Sequence, residues 1–239
     1  MATDTRHGDA VRDGIVGESR QASLRRPRPM VLIALLCVAG HVYFTATAWL
    51  MPLVSEYTLL GDNISELAIG RFGYLQTAAF IAAGIGSLAL AVGVRRATSG
   101  SWGSRTGAVL VGLSGVGSIL AGIFPTDPIA GAADLQSLTA MGAIHVAAAL
   151  IGFMGGVVGM LVLSRTFKRD TRWPGFWPVS LALALAALIL LFLQDQSGQI
   201  GLYQRLLSGS IVLWLTLVAL RLPATDRGGQ RIPSASTAS

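Results

Sequence analysis

The chain has 239 residues, of which 52% are hydrophobic and 13% charged, whereas about 25% of the residues of a soluble domain are charged. This composition excludes an ordinary soluble domain and predicts an integral membrane protein. The single cysteine, Cys37, excludes an intramolecular disulfide and a cysteine-based metal site. The formal net charge of +6 could suggest nucleic-acid binding, but the distribution of the basic residues along the chain argues against it.

Residues 1–28 are polar and contain six arginines, which predicts a disordered tail. Six apolar segments follow, each long enough to cross a bilayer core of about 30 Å as a helix. They cover residues of about 30–51, 73–94, 105–124, 139–164, 177–194 and 202–220. The sequence therefore predicts an all-α integral membrane protein, a six-transmembrane-helix bundle formed by residues 29–221, with a second disordered tail at 222–239.

The orientation follows from lysine and arginine, because basic loops of membrane proteins remain in the cytoplasm. If the N-terminal tail is cytoplasmic, its side of the membrane carries 16 of the 18 basic residues. The other side has only Arg71 and Arg205. We therefore predict a multi-pass protein of the cell membrane with both termini in the cytoplasm, in contact with membrane lipids and not with nucleic acid.

Glycines recur at a spacing of four residues in the segment GFMGGVVG of the fourth span. Small residues at this spacing let two membrane helices approach closely. We interpret these glycines as packing sites within one chain, in preference to a dimerisation motif.

Half of the 12 acidic residues lie on the side opposite the basic loops. Solvation of a surface loop is sufficient to explain two of them, Glu56 and Asp134. Asp62 and Glu66, in GDNISELAIGRFG, would share one face of a helix, and repulsion between them favours either a bound proton or a nearby cation such as Arg71. The alternative is structural, with Asp62 capping a helix that begins at residue 63 and Glu66 lying at the surface.

Two further groups on this side are candidates. Asp127, in IFPTDP, lies between two prolines that fix its backbone, so it either caps the next segment or points into a site. His145 lies about six residues inside the fourth span, where an ionisable group is a functional candidate. Its alternative role is that of a neutral histidine bonded to a neighbouring helix, which is the role we assign to His41 in the first span.

All these groups would converge on one outward-opening cavity whose deeper walls are apolar and aromatic, a suitable site for an amphiphile. A buried carboxylic acid there could act as a general acid. The catalytic candidates are Asp62, Glu66, Asp127, His145 and Asp195. The substrate-binding candidates are Tyr43, Trp49, Tyr74, Phe124, Phe192, Arg205 and Trp214. The sequence contains no metal-ligand spacing and indicates no cofactor.

The segments NISELAIGRFGYLQTAAFIAAGI, AGIFPTDP, HVAAALIGFMGG and GLYQRLLSGSIVLWLTLVALRL resemble domain-of-unknown-function family 998, a group of bacterial and archaeal multi-pass membrane proteins. The resemblance covers about residues 30–222 and implies an architecture without an activity. In size, topology and acid placement, the chain is also similar to small integral-membrane terpene cyclases, which protonate an alkene or epoxide so that a polyene closes into rings.

That second similarity implies an enzyme acting on an isoprenoid or other long hydrophobic substrate, by proton-initiated cyclisation, with a prenyltransferase upstream in the same pathway. Two other functions remain open from the sequence. One is a small transporter or proton-coupled carrier, and the other is a non-catalytic membrane subunit or sensor.

Overall fold

The computed structural model describes residues 29–128, 137–193 and 198–228. These residues form six α-helices and two short 3-10 turns, Met51–Leu53 and Glu66–Ala68, and contain no strand. The helices are α1 (Pro29–Leu50), α2 (Gly73–Ala97), α3 (Trp102–Ile123), α4 (Ala140–Arg169), α5 (Trp177–Leu193) and α6 (Ile200–Gly228). The protein is thus a helical membrane bundle of the multi-pass type, as its apolar segments predict.

Five of these helices are long and apolar enough to cross a membrane. The exception is α5, an apolar helix of 17 residues, which at a rise of about 1.5 Å per residue is somewhat shorter than a bilayer core. The end of the predicted fifth span, residue 194, lies outside the described residues. Orientation in the membrane remains a prediction.

The last helix extends farther than its hydropathy predicts. Residues 222–228, expected in the C-terminal tail, continue α6. Leu222 is fully buried, and a Cβ atom added at Gly93 of α2 would lie 2.6 Å from its side chain. Because packing against α2 holds this turn, the helix continues past the predicted boundary. The remaining predicted tails, 1–28 and 229–239, lie outside the described ranges.

Consecutive helices pack side by side in chain order, and α6 closes the ring against α1. Helix α6 also contacts α2 and α4, so it lies toward the middle of the bundle. We call the end formed by residues 51–72, 124–128 and 137–139 the acidic end. The opposite end, with the turns at 98–101 and 170–176, is the basic end.

Close approach between neighbouring helices depends on glycine. A Cβ atom at Gly117 of α3 would lie 2.5 Å from the carbonyl oxygen of Ala148 in α4, and one at Gly155 of α4 would lie 2.8 Å from the carbonyl oxygen of Leu110. These contacts join helices of one chain. The intramolecular interpretation of the glycine spacing in the fourth span is therefore confirmed for Gly155.

The basic end is closed by a polar and aromatic cluster. Trp173 stacks on Phe167 with 4.2 Å between ring centroids and donates to the carbonyl oxygen of Ala97. Asp170 is buried beside them and accepts from the Ser99 backbone N–H and from the Arg172 guanidinium. Burial alone would raise the pKa of Asp170, but these hydrogen bonds outweigh it and lower the pKa below its usual value.

The hydrophobic core is divided unequally between the two ends. A large cluster, which includes Trp173 and Trp214, fills the basic half of the bundle. A much smaller one, centred on Phe44 and Ile64, lies in the acidic half. The side chains of the acidic half leave a cavity between the helices.

Candidate functional site

The connector between α1 and α2 differs from its predicted form. No helix begins at residue 63, and Asp62 caps none, because its carboxylate accepts from the backbone N–H and the hydroxyl of Thr58, at 2.6 and 2.8 Å. Glu66 turns inward and is 7% exposed, with the Asn63 N–H donating to its carboxylate at 2.8 Å. The two acids are therefore held by separate local contacts and do not form a shared surface face.

Arg205 of α6 fixes this connector to the bundle. The residue is 1% exposed. Nε donates to the carbonyl oxygen of Ala48, and Nη1 donates to the carbonyl oxygens of Leu59, Asp62 and Gly201, at 2.7 to 3.1 Å. One side chain thus joins the end of α1, the connector and the start of α6.

The neighbouring Gln204 adds a second attachment. Its side-chain oxygen accepts from the Ile64 backbone N–H at 2.6 Å. Ile64 and Ser65 are both buried and both line the cavity below them. The connector therefore acts as a cover for the cavity, held in place by two consecutive residues of α6.

The cavity has a volume of about 90 Å³, room for several water molecules at roughly 15 Å³ each on this measure. Helices α1, α2, α3, α4 and α6 form its walls, and no described residue of α5 contributes. Its bulky apolar lining consists of Phe44, Ile64, Phe80, Phe153, Ile211, Val212 and Leu215. Its polar lining consists of His41, Ser65, Ser87, Ser114, Ser118, His145, Gln204 and Ser208.

His41 is bonded through both ring nitrogens. Nδ1 lies 2.7 Å from the carbonyl oxygen of Cys37, which can only accept, so Nδ1 carries the proton. Nε2 of the neutral ring then accepts from the Ser87 hydroxyl at 3.2 Å. This contact joins α1 to α2, so the interhelical role predicted for His41 is confirmed.

His145 has a different arrangement. Its Nδ1 donates to the carbonyl oxygen of Phe124, at the end of α3, over 2.8 Å. Phe80 lies edge-on to the ring, with centroids 6.4 Å apart. No described residue hydrogen-bonds to Nε2, although the residue is 3% exposed and lines the cavity. His145 therefore presents a free lone pair, held in one tautomer, on an otherwise enclosed wall.

The three hydroxyls of Ser65, Ser114 and Ser208 also lack a partner among the described residues, although each residue is at most 9% exposed. Buried polar groups are nearly always hydrogen-bonded, to protein, water or ligand. None of the lining residues that the structure describes is acidic or basic apart from the two histidines. The cavity is thus largely apolar, with several polar groups on its wall, and its described lining carries no fixed charge.

Of the predicted catalytic residues, His145 lines the cavity. Asp62 and Glu66 lie in its cover and are absent from the described lining. Asp127 accepts from the N–H and hydroxyl of Thr139, the residue that caps α4, so it ties the α3–α4 connection to that cap. Asp195 lies outside the described residues, as does Asp134.

The predicted substrate-binding residues are dispersed. Tyr74 and Phe192 are 67% and 73% exposed on the surface of the bundle, and Trp49 is also exposed. Trp214 is fully buried in the large core, where its indole N–H donates to Ser180 at 2.7 Å. None of these four side chains is part of the cavity lining.

The other three predicted substrate-binding residues make hydrogen bonds that hold parts of the protein together. The Tyr43 hydroxyl donates to the carbonyl oxygen of Leu75. Phe124 provides the carbonyl oxygen that orients His145. Arg205, as described above, holds the cover.

The serines and Gln204 were not among the predicted site residues. A serine inside an apolar helix can serve helix packing or belong to a binding site. The residue type alone therefore does not show which of these two roles it has. The available signal was their recurrence, with Ser87, Ser114, Ser118 and Ser208 each lying within an apolar span. Only the three-dimensional arrangement brings them to one cavity.

Comparison with known proteins identifies a family and no activity. A family model described as "Protein of unknown function (DUF998)" matches residues 20–221. No curated protein and no solved structure matches the chain. Since the family model covers most of the sequence, this chain belongs to the DUF998 family of proteins of unknown function.

Proposed function

We propose that this membrane protein is an enzyme that acts on an isoprenoid or other long hydrophobic substrate, with His145 as the group that transfers a proton. The observation that carries the proposal is the free Nε2 of His145 on the wall of a largely apolar cavity. A ligand pocket is typically apolar with a few convergent polar groups, one of them ionisable.

His145 suits proton transfer because its orientation is fixed. The hydrogen bond from Nδ1 to the Phe124 carbonyl oxygen keeps the neutral ring in the tautomer with a basic Nε2. After it takes up a proton, the same atom can donate it. A positioned acid or base of this kind contributes about 10²- to 10⁴-fold in rate.

The narrower form of the proposal is cyclisation of a terpene. Phe44, Phe80 and Phe153 line the cavity, and aromatic faces attract a carbocation by about 2 kcal/mol or more when water is excluded. A carboxylic acid was the predicted proton donor, but no described lining residue is acidic. The donor in this proposal is therefore the His145 imidazolium.

An imidazolium is a weaker acid than a carboxylic acid, so the proposed substrate is an epoxide, which opens on protonation more readily than an isolated alkene is protonated. The proton of Nε2 goes to the epoxide oxygen as the C–O bond breaks. A π-electron pair of the polyene then forms the ring C–C bond. The final cation loses a proton to Nε2 of the now neutral His145, which gives an alkene and restores the imidazolium. The oxygen remains on the product as a hydroxyl group.

The test uses the full chain in nanodiscs with a long-chain polyene epoxide and the matching prenol as separate substrates. Conversion to an isomer of equal mass is followed by chromatography and mass spectrometry. We expect His145→Gln to reduce the rate by about 10² or more, and Tyr74→Phe, on the outer surface, to leave it unchanged. Equal rates for His145→Gln and the parent chain would refute the role of His145, and no conversion of either substrate would refute the enzyme proposal.

A small carrier is the second candidate. The large hydrophobic core seals the basic half while the cavity occupies the acidic half, as in one state of an alternating-access carrier. Flux of the prenol across proteoliposome membranes, without chemical change, would favour this function over the enzyme.

A further inference from the structure

We infer that the cavity recognises an amphiphile with an uncharged, oxygen-bearing head group, such as a long-chain alcohol, and rejects the phosphate or carboxylate of the same chain. This inference rests on the proposed function, since it assigns the same cavity to the substrate. It adds the chemical class of the head group.

The unpaired polar groups define what the head group must offer. Ser65, Ser114 and Ser208 contribute three buried hydroxyls without a described protein partner, and each can donate or accept. Nε2 of neutral His145 can only accept. A hydroxyl group of a ligand can donate to Nε2 and accept from a serine at the same time, so it satisfies both kinds of wall group.

The absence of fixed charge defines what the head group must not carry. No lysine or arginine is among the described lining residues. Burial of an anion without a paired cation is strongly unfavourable, whereas a neutral hydroxyl needs only hydrogen bonds. A diphosphate or fatty-acid carboxylate would therefore enter the cavity without a counter-charge.

Arg205 does not supply that charge. Four hydrogen bonds direct its guanidinium to backbone carbonyl oxygens of α1, the connector and α6. Asp62 and Glu66 are close enough to interact with it electrostatically. Arg205 is also absent from the described lining, so it presents no cation on the cavity wall.

His41 does not supply it either. Its two ring nitrogens are occupied by Cys37 and Ser87 in the neutral form. His145 is then the single lining group that could pair with an anion, and only after it is protonated. The selection for a neutral head group therefore belongs to the neutral ring, in which Nε2 of His145 carries a free lone pair.

The experiment uses the full chain in nanodiscs at pH 8 and three photo-crosslinking probes. All three carry the same diazirine-bearing isoprenoid chain and end in an alcohol, a carboxylate or a monophosphate. Crosslinked peptides are quantified by mass spectrometry. We expect the alcohol to label cavity-lining peptides of α3, α4 and α6 at least about tenfold more than either anion, because the described lining offers an anion no paired cation.

Two variants of α6 form a matched pair. Ser208→Ala removes a cavity hydroxyl, whereas Ser210→Ala removes a hydroxyl that bonds to Leu206 of its own helix. We expect alcohol labelling to fall about tenfold with the first substitution and to stay unchanged with the second. Equal labelling by both variants would overturn the inference.

The remaining outcomes separate the two levels of the proposal. If the carboxylate or the phosphate labels the cavity as strongly as the alcohol, the neutral head group is refuted and the substrate cavity stands. If no probe labels the cavity while all of them label the lipid-facing surface, both the inference and the proposed function are refuted.

Discussion

The cover of the cavity depends on Arg205, and replacement of this residue by lysine tests that dependence. The guanidinium donates to four backbone carbonyl oxygens on three separate elements. Two of its nitrogens, held in a rigid plane, make these bonds. A lysine ammonium carries three donors on one flexible nitrogen and cannot span the same acceptors. We expect Arg205→Lys to keep at most two of the four bonds.

The cost can be estimated from the bonds that are lost. A hydrogen bond to a charged group contributes about 1.5 to 3 kcal/mol. Loss of two such bonds, taken at the lower end because neighbouring bonds are not additive, destabilises the closed connector by about 3 kcal/mol. Since about 1.4 kcal/mol is a factor of ten, the opening equilibrium of the connector should rise about a hundredfold.

Hydrogen exchange of the Ile64 amide measures this opening. That N–H donates to Gln204 while the cover is closed, so its exchange rate follows the open population. We expect a rise of about a hundredfold in Arg205→Lys and no change in Arg71→Lys, because Arg71 is exposed on the same connector. An unchanged Ile64 rate in folded Arg205→Lys, or an equal rise in every helix, would refute the local role of Arg205.

Three other substitutions test the framework by thermal unfolding in detergent micelles. Gly117→Ala should lower stability by about 2 kcal/mol because the new methyl overlaps the backbone of α4, whereas Gly112→Ala, whose nearest neighbour lies 3.8 Å away, should not. Trp214→Phe should reduce stability by about 1 kcal/mol through loss of its indole hydrogen bond, with substrate conversion per folded molecule unchanged. Asp170→Asn should cost about 1 kcal/mol at pH 7, where the Arg172 ion pair is intact. The pKa of Asp170 is lowered in the folded protein. The contribution of this carboxylate to stability is therefore present above about pH 4 and is lost as the pH falls through the folded pKa. The stabilities of Asp170→Asn and the parent protein should thus become equal in acid. A stability difference between the two proteins that stays constant down to pH 2 would contradict this role of the Asp170 carboxylate.

The fold was largely predictable because a bilayer imposes simple rules on length and hydropathy. Apolar runs of the right length located all six helices to within a few residues at most ends. The exceptions have local causes. Helix α6 continues beyond the predicted boundary because Leu222 is packed against Gly93, a tertiary contact that hydropathy does not register.

The site was predictable only in outline. The local sequence suggested that Asp62 caps a helix, whereas its carboxylate accepts hydrogen bonds from Thr58, four residues earlier. Acids stand out in an apolar chain and attract a functional interpretation, while serines do not. Yet a charged group is expensive to bury and tends to be fixed by local bonds, as Asp62 and Asp127 are. Among the described residues that line the cavity, the groups without a partner, Nε2 of His145 and three serine hydroxyls, are neutral in this arrangement.

The two histidines show how burial and bonding together separate structure from chemistry. Both are nearly inaccessible, and both use Nδ1 to donate to a backbone carbonyl oxygen. In His41 the second nitrogen accepts from Ser87 of the next helix, so taking up a proton would force this interhelical hydrogen bond to reverse its direction. In His145 the second nitrogen meets the cavity, so taking up a proton disturbs no bond of the fold. Proton exchange at His145 therefore breaks no hydrogen bond within the described part of the fold, which is the property that the proposed reaction requires.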